Sequence, residues 1–208
     1  MRLTLHTFLT LDGVMQGPGG PDEDRDGGFA HGGWSFPYGD DDFGTAVMGW
    51  FANADAFLLG RKTYEIFAGH WPRVTDAGDP VASKLNALPK YVASTTLTDV
   101  AWNNSSVLGR DVAAEVAKLK EQPGRELQVH GSGQLAHTLI EHDLIDEYRL
   151  LIFPVHLGSG KKLFADGATA AALRLVSTTT TSTGVIIATY EPAGPAKYGS
   201  YALDDESQ

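Results

Sequence analysis

One unit recurs along this chain and narrows the fold more than any other feature: a short apolar run, a glycine or hydroxyl residue, then a segment with helical spacing of its apolar residues. "DAFLLG" is followed by "RKTYEIF", and "ELQVH" by "GSGQLAHTLIEH", while "KYVAS" supplies another such strand end. Strands that alternate with helices pair in parallel, because a parallel neighbour needs a crossover long enough to hold a helix, and the helices then cover the sheet faces. The first strand is predicted over residues 2–11, with Leu3, Leu5, Leu9 and Leu11 on one face at a period of two. Asp40, Asp41 and Asp42 open a helix whose apolar residues Phe43, Val47, Trp50 and Phe51 share a face, and the three carboxylates suit its N-terminus. Asp79-Pro80 caps a helix over 80–88. "SSVLG" is a further strand, and residues 111–122 a helix with Val112, Val116 and Leu119 on one face. The last third changes character: "EYRLLIFPV", "ALRLVSTTTT" and "GVIIATYE" are strands with no helix between them. The expected fold is therefore α/β, a mostly parallel central sheet with antiparallel strands at the C-terminal edge. Residues 1–191 form one domain, and 192–208, rich in Pro, Gly and acids, read as a flexible acidic tail.

Composition excludes several function classes. Acidic residues outnumber basic ones by 26 to 16, a net charge of −10, so no general affinity for nucleic acid is expected and any bound anion must be held locally. The absence of cysteine removes disulfides, thiolate nucleophiles and zinc–thiolate sites. "MRLTLHTFLTLDG" alternates instead of offering the continuous apolar core of a signal peptide, and no apolar run approaches the ~20 residues that span a bilayer. A cytoplasmic protein without membrane contact is expected. The seven histidines include no HxxxH pair, so no metal site is expected, and Ser132 lacks the outer glycines of a hydrolase elbow.

Ligands of open α/β sheets sit beyond the carboxyl ends of the strands. Three places qualify: Gly60-Arg61-Lys62-Thr63, Ser94-Thr95-Thr96, and Gly131-Ser132-Gly133. Cations in the first turn of a helix oppose its dipole, so Arg61 and Lys62 point to a bound anion. A guanidinium clamps a phosphate through two parallel hydrogen bonds, with Thr63 and Ser94 completing the cradle and Lys62 adding positive potential. Residues 131–136 spell G-x-G-x-x-A, but the next strand, 148–154, ends without the acid that a Rossmann unit places on a free ribose. The bland alternative for these glycines is a tight turn. The long segment 15–39 carries Trp34, Phe36 and Tyr38 among glycines and acids, and loops of that length are usually functional. Trp34 and Phe36 are candidate walls for a planar ring, or else anchors of the loop. Asp12 shapes the turn before Gly13 or contacts substrate, and Asp12, His31 and water are the candidate proton donors.

"LTLDG", "LLGRKTYE", "YVAS", "VHGSGQL" and "DEYRLLIFPVHLGSGKKLF", in this order, resemble the dihydrofolate reductase superfamily. The chain is most similar to stand-alone relatives of the reductase domain of the bifunctional riboflavin-biosynthesis enzyme, from Arg2 to about Glu191. The resemblance implies a three-layer fold, a homodimer, and NADPH-dependent reduction of a small pterin- or pyrimidine-like heterocycle. It implies that Arg61 and Thr63 meet the adenosine end of NADPH, that Ser94 helps hold the 2′-phosphate, and that the Gly131–Gly133 turn receives the pyrophosphate, with Gly60, Lys62, Thr95 and Ser132 around them. Two departures stand out. The inward face of the first helix carries no acid for a pterin, and the long loop carries Asp22, Glu23, Asp24 and Asp26 against Arg25 alone, which suits a phosphorylated substrate poorly. A non-catalytic nucleotide- or pterin-binding protein of the same fold is the alternative.

Overall fold

The computed structural model describes residues 1–201. Its strands are β1 (Arg2–Thr10), β2 (Ala54–Gly60), β3 (Lys90–Ala93), β4 (Ser105–Val107), β5 (Glu126–His130), β6 (Glu147–Phe153), β7 (Ala171–Thr180) and β8 (Ile186–Pro195). Its helices are α1 (Asp41–Ala52), α2 (Arg61–His70), α3 (Pro80–Ala87), α4 (Val112–Glu121) and α5 (Gly133–Glu141). The strands form a single sheet in the order β4-β3-β2-β5-β1-β6-β8-β7. Every neighbouring pair from β4 to β6 is parallel. β8 runs antiparallel to both β6 and β7, so the pairing changes from parallel to antiparallel where the crossover helices stop.

β1 lies at the centre and is covered on both faces, which its period-two pattern divides. Leu3, Leu5 and Leu9 join Leu127, Val129 and the apolar sides of α4 and α5 in one core. The opposite face of the sheet meets α1, α2, α3 and the long loop, in two further clusters around Phe57 and Phe153. That second face is partly polar: Arg149 is buried between Glu126 (2.6 Å) and Glu147 (2.5 Å), so its charge is compensated inside the protein.

Three helices start on aspartate caps. Asp40 accepts from Phe43 N (2.8 Å), Asp79 from Val81 N and Ala82 N (2.8 and 2.9 Å), and Asp111 from Ala114 N (3.0 Å). α2 and α5 begin without any side-chain cap, and the difference marks the site described below. The expected domain end at 191 falls inside a hairpin: β8 continues to Pro195, with Pro192 opposite Leu173 and Pro195 opposite Ala171. Proline is tolerated there because the ladder shifts register between Ala171 and Leu173, where a lost donor is not missed. Of the expected tail, residues 202–208 lie outside the described residues. Among the described residues no helix is long and apolar enough to cross a membrane.

Candidate functional site

The carboxyl ends of β2 and β5 are held together by one serine. Gly60 N donates to Ser132 Oγ (2.9 Å), and that hydroxyl donates to the His130 carbonyl (2.9 Å). A methyl group on Gly60 would come within 3.3 Å of the Ser132 Cβ, tighter than an ordinary contact, so glycine eases the close approach of the two strand ends. Gly131 turns with φ +54°, and Ser132 follows in the left-handed region at 58°. A Cβ on Gly131 would lie 3.7 Å from Thr63 Oγ1. The uncapped first turns of α2 and α5 are thereby set side by side, with amide groups that no helix carbonyl can satisfy. Gly60, Thr63, Gly131, Ser132 and Gly133, selected from the sequence, form this one cradle.

Arg61 lies at its rim. The guanidinium donates to Thr96 Oγ1 (2.7 Å) and, through Nε, to Glu65 Oε1 (2.8 Å), the latter a charged partner one helical turn on. Ser94 Oγ sits 3.5 Å from Thr96 Oγ1 and accepts from Thr96 N and Leu97 N, so it shapes the turn in which Arg61 rests. Thr96 supplies the hydroxyl that touches Arg61, whereas Thr95 is exposed and makes none of these bonds. Lys62 departs from the expectation of free positive potential beside Arg61. Its ammonium pairs with Asp24 (2.8 Å) and Asp26, two acids of the long loop, because two side chains leaving adjacent helix positions point in different directions.

The loop, residues 15–39, starts against the cradle and is anchored in the core. Met15 Sδ would lie 3.2 Å from a Cβ on Gly133. Trp34, expected as a pocket wall or as an anchor of the loop, is 7% exposed; its indole N–H donates to the Gln16 carbonyl (2.8 Å) and its ring meets Phe153 edge-on at 5.2 Å. It is an anchor of the loop, since a ring with both its apolar body and its N–H satisfied has no surface left for a ligand. Phe36 is the reverse case, 85% exposed. His31 is exposed and touches the edge of Phe29 at 5.6 Å.

Asp12 takes the turn-shaping role. Its carboxylate accepts from Thr10 Oγ1 (2.5 Å), Gly158 N (2.7 Å) and Leu157 N (3.2 Å), joining the end of β1 to a turn far along the chain. The Thr10 hydroxyl and the two amides hold its pKa down to about 2. A carboxyl so held is ionised at neutral pH and makes a poor proton donor.

Beneath α1, two imidazoles are stacked. His6 and His130 are 4.7 Å apart at 22°, Phe51 stacks on the other side of His130 at 4.5 Å, and Trp50 meets His6 edge-on at 5.3 Å. Gln128 donates through Nε2 to Glu126 and to the Trp50 carbonyl, which leaves its Oε1 to accept from His130 Nε2 (3.1 Å). Burial, with the Arg149 charge added, lowers His130 to about 3, and burial with the neighbouring His130 lowers His6 well below the ordinary histidine range. Both rings are neutral at physiological pH. His6 Nδ1 is buried without a hydrogen-bond partner.

The profile of the RibD C-terminal domain matches residues 2–187. The chain belongs to this family. It is 32% identical over 198 residues to the uncharacterized protein YyaP of Bacillus subtilis, covering 91% of this chain and 94% of that one. A putative riboflavin biosynthesis protein from Shewanella sp. PV-4 superposes with a TM-score of 0.65 at 21% identity, over 93% of this chain and 99% of the other. Dihydrofolate reductase from Enterococcus faecalis, solved with NADP(H), gives a TM-score of 0.58 at 13% identity, over 92% and 96%. The bifunctional deaminase and 5-amino-6-(5-phosphoribosylamino)uracil reductase of Thermotoga maritima gives 0.60 at 14% identity, over 92% of this chain and 56% of that one. These structures share the dihydrofolate reductase-like fold of this RibD C-terminal domain, and the family is reductase-like. The sequence placed Thr96 in a candidate hydroxyl cluster of this family member without giving it a role, and did not show the Lys62 partners or the histidine pair. The hydroxyl run at 94–96 held the signal for Thr96, and the polar positions of "RLTLHTF" held one for His6.

Proposed function

We propose that this RibD C-terminal domain protein is an NADPH-dependent reductase of a small, planar, uncharged heterocycle. The observation that carries the reading is the pair of uncapped helix starts, α2 and α5, stitched together by Ser132 and rimmed by Arg61. The other three helix starts carry aspartates, so the chain caps its helices except where an anion would sit. The amides of Arg61, Lys62 and Thr63 and those of Gly133 and its successors would hold the pyrophosphate, with Gly131 leaving room for it. Arg61, Ser94 and Thr96 would hold the 2′-phosphate through charge-assisted bonds. Bound NADPH supplies the hydride; the protein's part is to align a second ring and keep water in order.

For that ring, the half-buried Phe8, Tyr38, Phe43 and Trp50 between α1 and β1 offer aromatic surface. Of the acids that open α1, Asp41 is exposed and the other two are engaged elsewhere. Asp40 is occupied by Phe43 N, Ser182 and Thr183, and Asp42 by Ser182 N, which argues against a pterin bound through an acid. With Asp12 held ionised, we assign the proton to solvent water. A homodimer through β7 and β8 is part of the proposal, because Phe164, Leu175 and Ile186 are 47%, 48% and 38% exposed around the uncovered end of the sheet.

Thermal melting with NADPH, NADH and no ligand tests the cradle: at 100 times its dissociation constant a ligand adds roughly 2.7 kcal/mol, and NADPH is expected to outperform NADH. No shift from either dinucleotide would refute the reading. Consumption of NADPH across a panel of pyrimidines and pterins then separates a reductase from a non-catalytic binder of the same fold, which shifts without turning over.

A further inference from the structure

The long loop is tied to the cradle by four charges. Lys62, in the first turn of α2, meets Asp24 at 2.8 Å and also Asp26; Lys161 meets Asp24 at 2.7 Å and Asp26 at 2.7 Å. Backbone and amide bonds fix the geometry. Gln16 Nε2 donates to the carbonyls of Asp24 and Asp26 (3.2 and 3.0 Å), its Oε1 accepts from Lys161 N (3.0 Å), and Met15 N donates to the Lys161 carbonyl (2.8 Å). The same Met15 abuts Gly133 at the start of α5. Both lysines therefore stand beside the cradle, and the chain spends them on its own carboxylates. The segment that carries those carboxylates has glycines with positive φ at 17, 27 and 28, a left-handed conformation that glycine adopts without strain.

We propose that Asp24 and Asp26 act as an internal counter-anion that latches residues 17–28 over Lys62 and Lys161, and that the phosphates of an entering dinucleotide displace them. This rests on the NADPH reading for the identity of the displacing anion, but not for the latch itself. Two ammonium groups satisfied by two carboxylates form a neutral cluster. A pyrophosphate in the neighbouring cradle would repel the carboxylates and attract the lysines, so one anion exchanges for the other. Lys62 is thereby a switching residue, paired with the loop in the free protein and with phosphate in the complex. Lys161 loses its loop partners at the same moment.

The test uses the full chain, with hydrogen exchange of residues 17–28 and NADPH titration as separate readouts. In the wild type, inorganic pyrophosphate is expected to speed exchange of this segment, whereas chloride at equal ionic strength does not. The D24N/D26N variant should exchange rapidly without any anion and bind NADPH about tenfold more tightly, because two repelling charges have gone and two cations are free. Lys161→Gln, which cuts one side of the latch and removes a cation, should speed exchange and weaken NADPH severalfold. If D24N/D26N keeps its melting temperature but binds NADPH no better than wild type, or if pyrophosphate leaves the wild-type loop unchanged, the latch is refuted. If D24N/D26N does not fold, Lys161→Gln decides by the same two readouts, and unchanged exchange and affinity in it refute the latch. If neither protein binds a dinucleotide yet pyrophosphate still frees the loop, the latch stands and the cofactor reading falls.

Discussion

Acidification should destabilise this protein well above the carboxylate range, through the stacked histidines. In the unfolded chain each takes up a proton near the ordinary value of 6.5, whereas in the native state burial holds His130 at about 3 and His6 well below 6.5. As pH falls below 6.5 the unfolded state binds protons that the native state refuses, so stability is lost across the window between the unfolded and folded values. Each such group contributes a slope of about 1.36 kcal/mol per pH unit, and integrating from pH 7 to 5 gives about 2 kcal/mol for His130. The figure hardly depends on the folded value, since any pKa below about 4 leaves the native ring unprotonated at pH 5. His6, lowered by its burial, adds to the loss in the same direction, so the total is a sizeable part of a typical 5–15 kcal/mol stability. Glu23, raised by its burial, works in the opposite direction over the lower part of this window. Urea unfolding of wild type and His130→Phe at pH 7 and pH 5 cancels that contribution. Phenylalanine keeps a ring between His6 and Phe51 and removes the titration, so the variant should lose about 2 kcal/mol less than wild type on acidification. Equal losses in the two proteins would show that His130 is protonated in the native state or is not buried as described.

Arg61→Ala should weaken NADPH by roughly tenfold or more, the loss of a charge-assisted contact worth about 1.5–3 kcal/mol, and leave NADH within about twofold in parallel titrations; equal losses would reassign the guanidinium to the pyrophosphate or the fold. Asp12→Asn should cost about 1 kcal/mol at neutral pH, a figure discounted for its exposure, with turnover changed by less than about threefold. Because the folded pKa is depressed, that stability is present above the unfolded value of 3.8 and lost as pH falls through about 2, so urea unfolding at low pH should find the variant and wild type converging. Gly160→Ala places a methyl group 2.6 Å from Val14 Cγ1 at φ +130° and should lower stability by about 1–3 kcal/mol, with Val14→Ala restoring part of it in thermal melts. Light scattering at micromolar concentration should find a dimer for wild type and a monomer for Leu175→Asp; a wild-type monomer would remove the dimer proposal.

The parallel sheet was legible because each strand-turn-helix unit is written within about 25 residues of sequence, where period and capping act locally. Asp40, Asp79 and Asp111 announced their helices, and the glycines at 60 and 131 marked the two strand ends that meet. What local pattern does not carry is which face a side chain finds covered. Thr4 and His6 look like the solvent side of an alternating strand, yet β1 is central and that side lies under α1. The Lys62 pairing was illegible for a related reason: its partner Asp24 is 38 residues away, and Lys161 reaches the same carboxylate across 137. Trp34 was ambiguous because an aromatic among glycines serves a pocket or an anchor equally well until its N–H is seen to be used. The end of β8 was misplaced because Pro192 and Gly194 spell a tail by composition, whereas the pairing with β7 carries the strand through them.

The central place of β1 also bears on how the chain is made. β1 pairs only with β5 and β6, which begin more than 100 residues after it, at Glu126 and Glu147. Both of its edges are taken by these distant strands, so Leu3, Leu5, Leu9 and Phe8 wait unpaired while the intervening residues are synthesised. At roughly 5–20 residues per second that interval is on the order of 6–30 s, long enough for holding chaperones to matter and for slow translation between residues 60 and 126 to lower the yield of folded protein. The Gly60–Ser132 bond closes at the same late stage, so nascent chains released before about residue 153 should be unable to gain stability from any nucleotide.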